Sequence, residues 1–303
     1  MAGMRLAELH LHLEGSVRPE TLQEIDPALT PEAIREHTRF SNFAEFLQAY
    51  KWVTGCLREP DHYAIAARRL LDELAAQNVV YAELNVSVGV MLWRGQDVAA
   101  NFAAIEQACA AQPVRIRFLF DAVRQFGVEH VDQVAEWAIR LRDGGVVGFG
   151  IGGDEERGPV SSFRLTFDRV KAAGLHLVPH AGESAGPGSI WDSLEAGAER
   201  IGHGIRAIDD PALVKHLADN HIPLEICITS NLRTGVVDRL ENHPIRRLFD
   251  AGVPIVLNTD DPALFETTLT GEYERAAAEF GFTEEELRQV AANGFRYAFD
   301  SVP

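Results

Sequence analysis

The feature that most limits what this chain can fold into is an alternation. Eight short runs rich in β-branched and aromatic residues are each followed by a stretch of helical periodicity. The runs are 6–13, 79–87, 115–123, 146–152, 175–181, 200–205, 222–229 and 253–259, with "RIRFLFDAV", "LEICITS" and "VPIVLNT" among them. Between them, "HYAIAARRLLDELAAQ" keeps Ile65, Leu70, Leu71 and Leu74 on one helical face. "DDPALVKHLADN" offers Asp210 as an N-cap before Pro211, and "TEEELRQVAANGF" spaces Thr283 and Glu286 as a capping box. Strands that each pass through a helix before the next strand run parallel. Eight of them closing on themselves make a (β/α)8 TIM barrel, an α/β fold that commonly fills about 250 residues as one domain. A single barrel domain over 1–303 is expected.

One connection is too long for a plain crossover. Residues 14–78 separate the first two strands, and "FSNFAEFLQAYKWVTGCL" (40–57) is aromatic and amphipathic. Active sites of such barrels lie at the C-terminal strand ends, in the loops that follow them. The insertion is therefore expected to be a helical lid, with Phe43, Phe46, Leu47 and Trp52 as its apolar residues.

The formal net charge of −17 argues against partners that present phosphates, whether nucleic acid or an anionic membrane surface. A small molecule is the expected partner; no oligomeric state is legible. Cys56, Cys109 and Cys227 are odd in number and widely spaced, and no C-x-x-C occurs, which suggests reduced thiols in a cytoplasmic setting. "MAGMRLAELH" has no long apolar run to suggest a signal peptide, and no segment approaches the roughly 20 apolar residues of a membrane span.

The strand exits carry the chemistry. The first ends in His10, His12 and Glu14; the fourth runs into "GIGGDE"; the fifth ends in "HAGE", with His180 and Glu183. The sixth carries His203, and the eighth ends in "LNTDDP", with Asp260 and Asp261. Strands do not collect histidines and acids at one end unless something is bound there. In a strand of period two, His10 and His12 point to the same side. With His180 and Asp260 they form a set that suits one zinc ion per chain. A catalytic zinc keeps a position open and lowers the pKa of water there towards about 7.

The ordered set "ELHLHLEGS", "GIGGDE", "HAGE", "RIGHG", "CITSNLRTG" and "LNTDDPALF" resembles the adenosine deaminase family of zinc-dependent barrel hydrolases. The resemblance implies His10, His12, His180 and Asp260 as zinc ligands and Glu183 as the proton shuttle. It implies that His203 orients the attacking hydroxide, that Asp261 hydrogen-bonds the purine's five-membered ring, and that the Gly153 N–H meets the six-membered ring. Glu14 falls where the family has an acid facing the sugar. Attack at C6 pushes charge onto N1, so a carboxylic acid of raised pKa must donate there, a role that suits Glu183. The thiol-ligated deaminase design is absent, since no PCxxC occurs.

Asn85 in "YAELN" departs from a frequent arginine, and Ile228 from a frequent proline. "YAELNVSVGVMLWR" and "FDAVRQFGVEH" resemble bacterial members that act on aminodeoxyfutalosine, a 5′-extended adenosine. In the 85–95 loop, Met91 and Trp93 suit an aromatic ring and Arg94 a carboxylate. The expected activity is hydrolytic deamination of an adenosine-type nucleoside. The alternatives are a free-base adenine deaminase, an amidohydrolase acting on an amide or ester, and a nucleoside-binding relative without activity.

Overall fold

The protein is described here by a computed structural model over residues 3–300; Met1, Ala2 and residues 301–303 of the expected span lie outside the described residues. Each sequence run contains a strand. They are β1 (Leu6–His12), β2 (Val79–Val86), β3 (Arg115–Val123) and β4 (Val146–Gly152), then β5 (His176–Leu177) and β6 (His180–Ala181), β7 (Ile201–His203), β8 (Leu224–Ile226) and β9 (Ile255–Leu257). All pairings are parallel, in the orders β1-β2-β3-β4-β5 and β6-β7-β8-β9.

The run expected at 175–181 is one barrel strand in two pieces, because Pro179 has no N–H to give to a ladder. Val178 N–H still reaches Phe149 O on one side (3.1 Å), and Pro179 O accepts from Gly202 N–H on the other (3.0 Å). The remaining seam lies between β9 and β1. There His12 N–H donates to Asp260 O (2.8 Å) and Asp260 N–H to His10 O (3.0 Å), a parallel bridge at Leu11. The fold is an α/β barrel. Strands β7, β8 and β9 are shorter than their sequence runs, since their outer residues turn into loops and helix starts.

The helices are α1 (Pro19–Ile25), α2 (Pro31–Thr38), α3 (Phe43–Cys56), α4 (Pro60–Ala76), α5 (Val88–Trp93), α6 (Val98–Ala110), α7 (Val128–Arg140), α8 (Arg164–Ala172) and α9 (Pro187–Glu195). They continue with α10 (Pro211–Asp219), α11 (Ile228–Arg233), α12 (Ile245–Asp250), α13 (Pro262–Phe265), α14 (Leu269–Phe280) and α15 (Glu284–Arg296). Asp210 caps α10 through Ala212 and Leu213 N–H, and Thr283 and Glu286 form the expected capping box on α15. In α4, Leu70, Leu71 and Leu74 are buried while Ile65 is half-buried. This helix packs on β2 and serves as the crossover, so the excess in the long first connection is α1 to α3. Aromatic contacts tie α3 to α13: Phe46 stacks on Phe265 at 5.0 Å, and Phe40 meets both rings edge-on.

A bulge in β1 aims the first histidines. Its register against β2 shifts between Glu8 and Leu11. The N–H groups of Leu9 and His10 both donate to Asn258 Oδ1, at 2.7 and 3.1 Å. Bulges of this kind redirect side chains beside active sites. Leu9 packs in an inner cluster with Ala7, Tyr81 and Val256.

Candidate active site

His10 is fixed from below. Its Nδ1 lies 2.8 Å from Glu225 Oε2, so Nδ1–H donates and Nε2 is turned to Asp260, 3.4 Å away. Glu225 in turn accepts from Arg200 Nε (2.6 Å), and Arg200 also pairs with Glu83, all fully buried. The tail of the chain closes this network: Arg200 Nη1 donates to Tyr297 O (2.8 Å), and Phe299 N–H to Glu83 Oε1 (2.6 Å).

Four side chains converge above it. His12 Nε2 and His180 Nε2 face each other at 3.2 Å, and Asp260 Oδ1 lies 3.4 Å from Nε2 of both His10 and His12. Among the described residues, His10 Nε2 has no hydrogen-bond partner. Burial holds the His12 imidazole down at about 3 and His180 well below neutrality. Asp260 stays ionised: burial opposes this, but the histidines His203, His10 and His12 around it hold its carboxyl well below the usual range. Neutral imidazole lone pairs and a carboxylate meeting at one point, with a buried nitrogen left over, fit a metal ion. The ligand atoms of His10, His12, His180 and Asp260 lie within 4.8 Å of one another. A second grouping, His203, Cys227 and Asp260, fits less well, because burial raises the Cys227 thiol well above its ordinary value. Asp260 is held in a left-handed conformation (φ +66°) by its backbone bonds to β1, while Ser230 Oγ donates to its second oxygen at 2.7 Å.

Two further acids stand beside this cluster. Burial, reinforced by the Asp260 charge, raises both Glu183 and Asp261 well above the carboxylate range. Asp261 Oδ1 is buried without a partner, and Gly15 makes room for it: a Cβ at position 15 would sit 1.6 Å from that oxygen. His203 Nε2 lies 3.7 Å from Glu183 Oε2 and 3.9 Å from Asp260 Oδ2. Gly153, at φ +94°, packs on Gln125 so closely that any side chain would collide with it. These groups line one cavity of about 280 Å³, to which α3 contributes Phe43, Phe46, Leu47 and Tyr50.

Four expected contributors lie elsewhere. Trp52 is on the outer side of α3, stacked on His37 at 4.7 Å, because the helix turns it about 200° from the residues that face the cavity. Arg94 also lies behind α3, donating to Lys51 O (2.7 Å) and Thr54 Oγ1 (3.2 Å); the cations that line the cavity are Lys51 and Arg157. Met91 is fully buried in the core, whereas Trp93 is 48% exposed at the cavity, stacked on Phe126 at 5.7 Å. Glu14 sits behind the cavity wall, accepting from Ser87 N–H (3.0 Å) and Tyr50 Oη (3.3 Å), two residues that do line it.

The sequence reading missed several residues that build this site. Glu155, the acid of "GGDE", accepts from the N–H groups of Gly182, Glu183 and Ser184 at 2.8 to 2.9 Å, and so shapes the loop carrying Glu183. Arg124 is buried and ties strand ends together through Ile151 O (3.2 Å) and His180 O (2.6 Å). Asp121 lines the cavity; burial raises its carboxyl to about 7, and its Oδ1 has no partner. Their signal was "FDAVRQF": an acid and an arginine at a barrel strand's C-terminal end.

The model of the family described as adenosine deaminase matches residues 6–303. The chain belongs to the adenosine deaminase family. The aminodeoxyfutalosine deaminase of Streptomyces coelicolor is 39% identical over 317 residues, covering 100% of this chain and 82% of that protein. A crystal structure of adenine deaminase from Arthrobacter aurescens superposes with a TM-score of 0.92 at 28% identity, covering 98% of this chain and 94% of its own. A zinc-bound amidohydrolase from Burkholderia ambifaria superposes with a TM-score of 0.88 at 25% identity, covering 98% and 86%. This member of the adenosine deaminase family is thus a hydrolytic deaminase of adenosine-like substrates.

Proposed function

We propose that this deaminase is a zinc enzyme that removes the 6-amino group of an adenosine-type nucleoside, with a 5′-extended, carboxylate-bearing nucleoside such as aminodeoxyfutalosine as its preferred substrate. The observation that carries the reaction is the placement of a buried carboxyl of raised pKa, Glu183, beside the converging His10, His12, His180 and Asp260 at one cavity. A zinc ion on those four residues would let water ionise near neutral pH.

The chain's own groups supply the rest. Asp261, kept protonated by burial, donates to the purine's five-membered ring, and the Gly153 backbone meets the six-membered ring. As oxygen adds at C6, Glu183 gives its proton to N1. It then takes a proton from the C6 hydroxyl and passes it to the amino nitrogen. The C6–N bond breaks, ammonia leaves and a 6-oxopurine remains. The proton released when water ionised restores the Glu183 acid. His203 steadies the adding oxygen. The α3 aromatics exclude water, which strengthens each of these interactions.

Support for the extended substrate comes from the cavity lining and from the Streptomyces relative. Trp93 and Phe126 form an exposed aromatic pair, Lys51 Nζ and the Arg94 guanidinium each lie 5.2 Å from the Trp93 ring, and Arg157 is a further cation on the cavity lining. An aromatic carboxylate attached at the 5′ position suits that set. A second reading, free adenine, is favoured by Asp121: its unpartnered oxygen could accept either a sugar hydroxyl or the N9–H of a free base.

Ammonia release decides between them, measured against adenosine, 2′-deoxyadenosine, adenine, AMP, methylthioadenosine and aminodeoxyfutalosine. The expected order puts aminodeoxyfutalosine first in kcat/KM, with Lys51→Ala and Arg157→Ala raising its KM more than that of adenosine. Adenine as the best substrate replaces this reading with the second.

A further inference from the structure

A neutral imidazole carries one N–H, and which nitrogen holds it decides what His203 can do. With the proton on Nε2, the ring donates into the cavity; with the proton on Nδ1, it can only accept there. The structure settles this through a chain of hydrogen bonds that starts on the far side of α11, at a donor that cannot switch.

That donor is the backbone N–H of Ile245, which points at His243 Nδ1 at 3.3 Å. His243 Nδ1 is therefore the acceptor, and its single proton sits on Nε2. Nε2–H donates to Asn231 Oδ1 at 3.2 Å, which fixes the orientation of the amide. The Asn231 NH2 then faces His203 Nδ1 at 3.3 Å and donates to it. His203 Nδ1 is thus occupied as an acceptor. Its proton is on Nε2, the nitrogen 3.7 Å from Glu183 and 3.9 Å from Asp260. Asn231 is fully buried and His243 is 4% exposed, so water does not compete for these bonds. Burial also holds the His243 ring down at about 3, so it stays neutral and the chain of donors keeps one direction.

We infer that Asn231 and His243 are positioning residues that hold His203 as the Nε2–H tautomer. The purpose of that tautomer rests on the proposed function. His203 donates a hydrogen bond to the oxygen that adds at C6, and it has no lone pair at Nε2 with which to remove that oxygen's proton. The "SN" of "TSNLRTG" and the "NHP" twelve residues on, which the sequence reading gave no role, belong in this view to the deamination machinery.

The test reads the tautomer directly. The zinc-loaded protein is labelled with 15N-histidine, and long-range proton–nitrogen correlation spectra are recorded on its 11 rings. His203→Gln identifies the His203 signals. The expected result is a pyridine-like Nδ1 and a pyrrole-like Nε2. Asn231→Asp keeps the shape but replaces the amide donor with a pure acceptor. It should place a proton on His203 Nδ1 and lower kcat by about 10²–10³-fold, the usual cost of losing one donor to a developing oxyanion, with KM nearly unchanged. Asn231→Ser, which retains a hydroxyl donor, should recover part of kcat. A pyrrole-like Nδ1 in the parent protein overturns the inference whether or not the Asn231 variants fold. So does an Asn231→Asp protein whose His203 spectrum and kcat match the parent. If the spectra are as expected but no purine is deaminated, the tautomer assignment stands and the proposed function falls.

Discussion

In the proposed reaction Glu183 is the pivotal residue, because burial and the Asp260 charge raise its carboxyl well above the ordinary glutamate value. Glu183→Gln keeps the size and loses the titrating proton. It should bind zinc and substrate as the parent does and lose about 10²–10⁴-fold in kcat. Steady-state kinetics with metal analysis check this, and a variant within a few-fold of the parent removes Glu183 from the role. His243 gives a separate stability prediction. Its folded-state value, about 3, lies below the ordinary 6.5, so the unfolded chain takes up a proton first as pH falls. The stability it contributes is complete above pH 6.5 and is lost progressively down to about 3, roughly 2 kcal/mol of it between pH 7 and 5. Urea unfolding of the zinc-loaded parent and of His243→Phe should show that loss in the parent and less of it in the variant. Equal losses in both refute it. The gathering of histidines and acids at the strand exits was legible at this scale, since such residues are costly there unless used. The supporting residues were harder to see. Nothing in "NHP" says that its histidine lies beside Asn231.

Among the elements, α3 forms one wall of the cavity. Phe43, Phe46, Leu47 and Tyr50 face the cavity, and Phe46 is anchored on Phe265. If α3 opens and closes, amide exchange over 43–56 should slow when a transition-state-like purine riboside binds. Equal exchange with and without ligand marks a fixed wall. Phe46→Ala should weaken ligand binding, while Trp52→Ala, on the outer side, should leave KM unchanged; steady-state kinetics on both separate the two faces. Helix ends were readable because caps are local: Asp210, Thr283 and Glu286 do what their spacing implies. The β1 bulge was not readable, because it depends on Asn258, which is 248 positions from His10 in the chain. The same holds for Arg94. Its charge suggested a ligand, but the helix behind which it lies offers Lys51 O and Thr54 Oγ1 at hydrogen-bonding distance.

For the whole molecule, the barrel gathers Asp121, Glu183, Asp260 and Asp261 from three strand exits around one cavity, and a bound cation would relieve their mutual repulsion. Elemental analysis should find one zinc per chain. Removal by a chelator should lower the thermal midpoint, and zinc at about 100 times its dissociation constant should restore about 2.7 kcal/mol. A fully active preparation without transition metal, or a midpoint unmoved by chelation, contradicts this. The alternation of runs was enough to specify the barrel. It could not specify where the ring is thinnest: Pro179 interrupts one strand, and a single bridge joins β9 to β1.

The network beneath His10 has a consequence for the order in which the protein is made. His10 leaves the ribosome first, but its partner Glu225 is aligned by Arg200, and Arg200 is held by Tyr297 O near the other terminus. Asp260 is likewise synthesised 250 residues after His10, whose carbonyl accepts its N–H. The centre is therefore complete only once residues as late as Tyr297 have been made and folded back. A truncation before Tyr297 should be felt as weaker zinc retention at the site of His10. Chelator competition on a chain ending at residue 296 should show faster zinc loss than the full chain; equal retention would mean that Arg200 keeps its place without the tail.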